Sequence, residues 1–289
     1  MSDRPSDRVL NLAVIVSALG YFVDIFDLLL FGIVRVQSLR SIGVSNEDLL
    51  PVGLSLLNHQ MIGVLVGGFF WGILGDKKGR VSVLFASIFL YSLANLANAF
   101  VHSVESYAFL RFIAGLGLAG ELGLAITLVS EILSKERRGY ATTVVASFGV
   151  LGSVAAGLAA HYLDWRHCYI LGGLLGLILL ALRIRIHEPA MFKKIQSEKT
   201  SRGNLLLLLT NRQRFLKYLG LVLVGAPVWF VIGIVVSFAP EVGAALGITE
   251  NISAGTAILI AYAGLAVGDL ASGLLSQVLQ SRKKVLAIF

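Results

Sequence analysis

Leu49–Gly75, LLPVGLSLLNHQMIGVLVGGFFWGILG, runs for 27 residues without an aspartate, glutamate, lysine or arginine, and Asp76-Lys77-Lys78-Gly79-Arg80 follows at once. As a helix rising about 1.5 Å per residue it would be roughly 40 Å long, more than the ~30 Å hydrocarbon core of a bilayer. The sudden return of charge marks an exit into water. Comparable runs occupy 9–23, 81–104, 112–120, 139–163, 167–182, 218–240 and 251–268. Three of them are cut short by acids, at Asp24 and Asp27, at Glu121 and at Asp269, and resume as apolar sequence beyond. Eight helices are therefore predicted, at about 9–36, 51–74, 81–101, 107–132, 141–163, 166–187, 215–239 and 253–280. A membrane β-barrel would need alternating segments of about ten residues, whereas these runs are continuous. The first run lacks a small-residue cleavage site and continues through two aspartates, so it reads as a retained span.

Composition agrees. Hydrophobic residues make up 56% and charged residues 14% of 289, against roughly 45–50% and about 25% in soluble domains, and the mean hydropathy is +0.83. A disordered chain, a disulfide scaffold and a nucleic-acid partner are excluded. The single cysteine, Cys168, permits no internal disulfide and no cysteine metal cluster. The chain reads as an all-α membrane protein whose surroundings are the lipid bilayer.

The basic residues set the orientation. With the N-terminus in the cytoplasm, twenty lysines and arginines fall inside, nine of them in 183–217. Only Arg35, Arg40 and Arg166 fall outside, and Arg111 lies within a span. A cytoplasmic N-terminus is expected, and the net charge of +7 reports topology rather than a ligand.

The long polar stretch 188–214 divides the spans six and two. It reads as a cytoplasmic linker, with an amphipathic helix expected near Asn204–Phe215. Residues 1–187 form the first unit and 215–289 the first two spans of a second. Gly72–Arg80 has a degenerate echo 201 residues later, in Gly273-Leu274-Leu275-Ser276 and Ser281-Arg282-Lys283-Lys284, with Gln277 where the first copy has Asp76. That spacing fits a parallel repeat of six-helix halves. The expectation is a truncated product of a twelve-span parent that does not transport alone. Residues 9–187 should be compact, with spans seven and eight loosely attached.

Gly72, Asp76, Gly79 and Arg80 carry the main motif, G-x-L-G-D-K-x-G-R. Gly72 and Gly75 let helix ends approach, Gly79 permits a tight turn, and Asp76 can bond a neighbouring helix end. The segment resembles the loop-2/3 signature of the major facilitator superfamily of secondary transporters. Arg111-x-x-x-Gly115-x-Gly117-x-x-Gly120 in span four, and Glu131 followed by Arg137-Arg138-Gly139, are similar to patterns of that superfamily. The resemblance implies a bundle of two six-helix halves with a substrate site between them. It also implies a charge network of Arg80, Glu131 and Arg138 at the cytoplasmic end, and a place for Arg111 near a proton-coupling site. His187-Glu188-Pro189-Ala190-Met191-Phe192 is similar to an ending found in sugar and metabolite porters of the superfamily.

Asp24-Ile25-Phe26-Asp27 in span one resembles proton-coupled organic-acid and metabolite symporters. At membrane depth such acids cost several kcal/mol and are functional by default. Spaced i and i+3 they share a helix face, and one of them should hold a proton, with Arg111 as counter-ion to Asp27. Glu121 is the next candidate, and His59, Gln60, His161 and Trp229 are weaker cavity-lining ones. The expected function is proton-coupled uptake of a small metabolite such as an organic acid, with no cofactor and no metal, in a bacterial cytoplasmic membrane. A sugar or zwitterion substrate, or a non-transporting receptor or scaffold of the same fold, are the alternatives. An intramembrane enzyme is disfavoured because no nucleophile–base pair or metal motif stands at a useful spacing.

Overall fold

A computed structural model describes residues 12–121, 135–184, 206–250 and 252–288, together with Gly123, Ile126, Val129, Leu133, Gly203 and Asn204. The helices in order are α1 (Leu12–Ser41), α2 (Leu49–Lys78), α3 (Arg80–Asn98), α4 (Val104–Leu118), α5 (Lys135–Tyr162), α6 (Trp165–Arg183), α7 (Leu206–Leu209), α8 (Arg212–Phe230), α9 (Ala239–Ala245), α10 (Ala254–Val278) and α11 (Arg282–Ile288). No strand occurs among the described residues. Seven helical stretches there are long and apolar enough to cross a membrane. The remaining predicted span, the fourth, is seen as α4 and the turn up to Glu121, and most of the rest of it lies outside the described residues. So do the linker over 185–202 and the Glu188-Pro189 ending. Of the amphipathic helix expected near Asn204–Phe215, the one-turn α7 and the start of α8 are present.

Polar residues just ahead of the apolar runs start the helices. Ser103 accepts from the Ser106 amide at 3.2 Å, Asp164 from Arg166 at 3.1 Å and Asn211 from Arg214 at 3.1 Å. Each satisfies an amide that the first helical turn leaves open, typically worth ~1 kcal/mol. Gly79, at φ 111°, makes the sharp turn between α2 and α3 that a side chain would resist. α1 extends five residues past its predicted end at residue 36, because Ser38 and Leu39 are fully buried against the bundle.

α1 packs along α5, α2 along α4 and α3 along α6. In lipid the apolar effect does not favour helix pairing, so close backbone approach does. A Cβ at Gly115 would overlap the Gln60 carbonyl, and one at Gly152 the Phe22 carbonyl. An aromatic cluster closes the end of the bundle opposite Lys77 and Lys78. Tyr107 meets Phe31 edge-on at 5.6 Å and Tyr169 at 6.1 Å, and the two tyrosine hydroxyls lie 2.6 Å apart.

Of the last two spans, the seventh is as loosely held as expected and the eighth is not. α10 is not loose: it packs along α5, with Gly273 against Thr143, Leu259 against Gly157 and Gln277 against Gly139. α8 is the exposed one, with no buried residue. Its span is also irregular. Pro227 lacks an amide to donate, a π-helical segment at Val231–Val236 follows, and the Ser237 amide closes on Ile232 before α9 begins.

Candidate functional site

The four acids and bases placed in the spans by sequence are all nine-tenths or more buried. Asp24 is 4% exposed, Asp27 1%, Arg111 0% and Glu121 0%. They do not form one cluster.

Nearer the aromatic end, Arg111 on α4 is clamped by α3. Its Nη2 donates to Asn95 Oδ1 at 2.9 Å and its Nε to Asn98 Oδ1 at 3.4 Å. The guanidinium carbon lies 4.7 Å from the centre of the Tyr169 ring, so a cation–π contact from α6 fixes the remaining face. Arg111 therefore points into the bundle rather than out to an interface. Its Nη1 has no hydrogen-bond partner among the described residues, and neither carboxylate oxygen of Asp27 has one. The direct Arg111–Asp27 ion pair expected from depth counting is thus not formed. Arg111 is nonetheless the cation whose field reaches Asp27. The Asp27 carboxylate is seated on α6, in the space that a side chain at Gly172 would fill.

Toward the basic end, Glu121 is held by Arg183 in a two-pronged pair, Arg183 Nη2 to Glu121 Oε1 and Nη1 to Oε2, the latter at 2.7 Å. Arg183 was counted with the cytoplasmic linker. The structure instead places it at the end of α6, 2% exposed, with its guanidinium folded over Gly20 of α1. Only glycine at 20 leaves that room. Asp24 stands one turn further along α1, and both its oxygens lack a hydrogen-bond partner among the described residues.

Arg35 needs the same correction. Counted as a loop residue, it is 1% exposed near the far end of α1, paired with Glu241 on α9 and stacked 4.4 Å from the Phe238 ring centre. This ion pair ties the first six spans to the seventh. A lone arginine after an apolar run gives no sign of a partner 206 residues away. Asn95, Asn98 and Tyr169 were missed because uncharged polar residues do not interrupt an apolar run.

Among the weaker candidates, Gln60 is buried and donates to the Leu28 carbonyl at 3.4 Å. His59 is exposed, with its Nδ1 2.7 Å from the Ser55 carbonyl. His161 is exposed beside Tyr162, and Trp229 lines a cavity together with Asp24. In the loop motif, Gly72 and Asp76 are exposed at the end of α2. The side chains of Arg80 and Arg138, and the whole of Glu131, lie outside the described residues, as does the charge network expected of them. No group of three or more metal-ligating side chains occurs among the described residues.

The sequence of residues 10–289 matches the profile of the Major Facilitator Superfamily. The chain belongs to this superfamily. Solved structures agree on the fold: the proton:xylose symporter XylE, bound to 6-bromo-6-deoxy-D-glucose, superposes with a TM-score of 0.67 at 16% identity, over 92% of this chain and 68% of that one. XylE from E. coli in a partially occluded inward open conformation superposes with a TM-score of 0.64 at 18% identity, covering 92% and 71%. By sequence, the chain is 31% identical to the 4-hydroxybenzoate transporter PcaK of Pseudomonas aeruginosa over 186 residues, 63% of this chain and 41% of that one. It is 34% identical to the niacin transporter NiaP of Acinetobacter baylyi over 137 residues, 46% of this chain and 31% of that one. The chain spans less than half the length of these relatives. It is an integral membrane protein of a superfamily of small-molecule transporters.

Proposed function

We propose that this major facilitator chain serves proton-coupled uptake of a small organic acid across a bacterial cytoplasmic membrane. The observation that carries the reading is the charge inventory of the bundle interior. Apart from the Arg35–Glu241 pair, the nine-tenths-buried carboxylates and guanidinium groups described there are Asp24, Asp27, Glu121, Arg111 and Arg183, with one more carboxylate than cation. An uncompensated buried charge costs several kcal/mol, so the extra carboxylate must take a proton or a cation. Asp27 suits a proton because neither of its oxygens makes a hydrogen bond among the described residues. Arg111 suits a carboxylate because one buried terminal nitrogen makes no hydrogen bond among the described residues while the rest of the guanidinium is held. Substrate arriving at Arg111 would withdraw its positive field from Asp27 and favour proton uptake there. Departure of the substrate would restore the field and release the proton.

The named relatives support the substrate class, since 4-hydroxybenzoate and niacin each combine one ring with one carboxylate. The topology follows the basic residues. With the buried, paired Arg35 and Arg183 removed from the loop count, nineteen lie on the N-terminal side against two, Arg40 and Arg166, so the N-terminus stays cytoplasmic. The two domains are read as residues 1–187 and 215–289, with 188–214 between them.

The test is uptake of labelled 4-hydroxybenzoate, nicotinate and xylose into vesicles carrying the full-length protein, with and without an inside-alkaline pH gradient. The aromatic acids should accumulate only under the gradient, and xylose should not. Equal levels of all three, unaffected by the gradient, would overturn the reading.

A further inference from the structure

Asp24 and Asp27 belong to different charged groups, and the geometry of α1 separates them. Three residues turn a helix by about 300°, so the two side chains diverge by about 60°. Asp27, seated on Gly172 of α6, stands with Arg111 and Asn95 toward the aromatic end. Asp24 stands with Glu121 and Arg183 toward the basic end, and it borders a cavity of about 250 Å³ that also reaches Tyr21 and Trp229. Between the two groups lies Tyr91 of α3, a buried side chain that the transport reading leaves unused.

Three helices fix the level of Tyr91. On α3 it comes one turn before Asn95, the residue that holds Arg111. On α6, an added Cβ at Gly176 would stand 3.0 Å from Cε2 of its ring, and Gly176 comes one turn after Gly172, the seat of Asp27. On α4, an added Cβ at Gly117 would stand 2.7 Å from the Tyr91 Cβ, and Gly117 comes about one turn before Glu121. A turn is about 5–6 Å, so Tyr91 sits one such step from each group. Its ring shares a buried cluster with Val23 of α1, Leu118 of α4 and Leu179 of α6. Its hydroxyl makes no hydrogen bond among the described residues, and neither do the oxygens of Asp24 and Asp27. The charges of Asp24, Glu121 and Asp27 all reach that hydroxyl, Asp24 most strongly. A phenylalanine would fill the same space without burying an unpaired hydroxyl, so the oxygen calls for a role. Tyr169, also within reach of the Asp27 charge, is engaged elsewhere: its hydroxyl lies 2.6 Å from that of Tyr107.

We propose that Tyr91 is the proton relay between the two groups, passing the coupling proton from Asp27 to Asp24. The inference rests on the transport reading above and adds to it the path by which the proton leaves. A phenol can accept and donate at the same oxygen. The Asp27 carboxylic acid gives its proton to the Tyr91 oxygen while the original Tyr91 O–H proton passes to a carboxylate oxygen of Asp24. One O–H bond breaks and one forms at the tyrosine, so Asp27 ends as a carboxylate, Asp24 as an acid, and the phenol is unchanged. The contacts close during the cycle, since proton-transfer contacts commonly tighten only in the working complex. Asp24 suits the receiving role because Arg183 is held by both oxygens of Glu121, which leaves the Asp24 oxygens open to a proton. Asp24 also borders the cavity, which gives the proton a way out, whereas Asp27 is not part of that cavity's wall.

Net uptake and exchange of 4-hydroxybenzoate, measured on the full-length protein in vesicles, test the relay. Tyr91→Phe keeps the ring and removes the hydroxyl. Under an inside-alkaline gradient its initial rate of uptake should fall about tenfold or more, a modest part of what a positioned proton-transfer group usually contributes. Exchange of internal for external 4-hydroxybenzoate at equal pH needs no net proton release and should match wild type. Asp24→Asn removes the receiving carboxylate and should show the same split between uptake and exchange. Thermal unfolding of Tyr91→Phe should match wild type or lie above it, because the hydroxyl removed makes no hydrogen bond among the described residues. A wild-type rate of gradient-driven uptake in either variant overturns the relay. So does a Tyr91→Phe protein in which uptake and exchange are slowed or lost together, since the residue is then needed for packing rather than for proton movement. If wild type itself shows no gradient-driven accumulation, the coupling reading fails and the relay with it. Accumulation in wild type with no split in Tyr91→Phe defeats the relay alone.

Discussion

Removing Arg183 should unfold this protein more readily than removing almost any other surface-facing or end-of-helix charge. Its guanidinium makes two hydrogen bonds to Glu121, and the two side chains are 3% and 0% exposed. Arg183→Leu leaves the Glu121 carboxylate buried with no cation bound to it, and Asp24 stands one turn away from Gly20, where Arg183 folds over α1. Breaking a buried pair from one side costs about 3–5 kcal/mol, while replacing both partners with apolar residues of similar size is close to neutral. Glu121→Leu alone strands the arginine and should cost a similar amount. The double variant Glu121→Leu/Arg183→Leu should recover most of the loss, giving a coupling energy of about 3 kcal/mol or more. Thermal unfolding in detergent, followed by loss of the monodisperse species, provides the four corners of the cycle. Single variants within about 0.5 kcal/mol of wild type, or losses that simply add, would show that the pair is solvated and that its assignment to the bundle interior is mistaken.

Three other substitutions test the packing and the link between the first six spans and the seventh. Gly115→Val drives a branched side chain into the Gln60 carbonyl and should lower folded yield severely, whereas Gly68→Ala, facing open space, should leave it unchanged; comparing detergent-extracted folded fractions checks both. Glu241→Gln removes the charge that pairs with Arg35 near the far end of α1, so a cysteine placed at Ser237 in a Cys168→Ser background should react with a membrane-impermeant maleimide several times faster than in the parent. An unchanged rate would mean that the pair does not hold this end closed.

The membrane fold was legible because its signal is long. Runs such as Leu49–Gly75 cross the bilayer whatever their neighbours are, and polar residues such as Ser103 and Asp164 mark where the helices begin. The ionisable candidates were legible for the same reason, since Asp24, Asp27, Arg111 and Glu121 each interrupt apolar sequence. Their partners were not. Arg183 and Arg35 sit at run ends, where a basic residue normally faces water, and only tertiary contact reveals that they turn inward to Glu121 and Glu241. Asn95 and Asn98 clamp Arg111 yet look like ordinary polar punctuation in α3. The separation of Asp24 from Asp27 was hidden as well: helical spacing places both on one face, but the 60° between them is enough for one to meet α6 and the other a cavity.

Asp27, assisted by Asp24, is proposed to carry the coupling proton in the full-length protein. The measurement is a pair of assays on Asp27→Asn, gradient-driven accumulation of 4-hydroxybenzoate and exchange of internal for external 4-hydroxybenzoate at equal pH. A one-unit pH gradient is worth about 1.4 kcal/mol per proton, so one-for-one coupling sustains about tenfold accumulation in wild type. Asn cannot take up and release a proton, so accumulation should collapse to unity while exchange, which moves no net proton, persists. If Asp27→Asn accumulates substrate as steeply as wild type under the same gradient, Asp27 is structural and the coupling proton resides elsewhere.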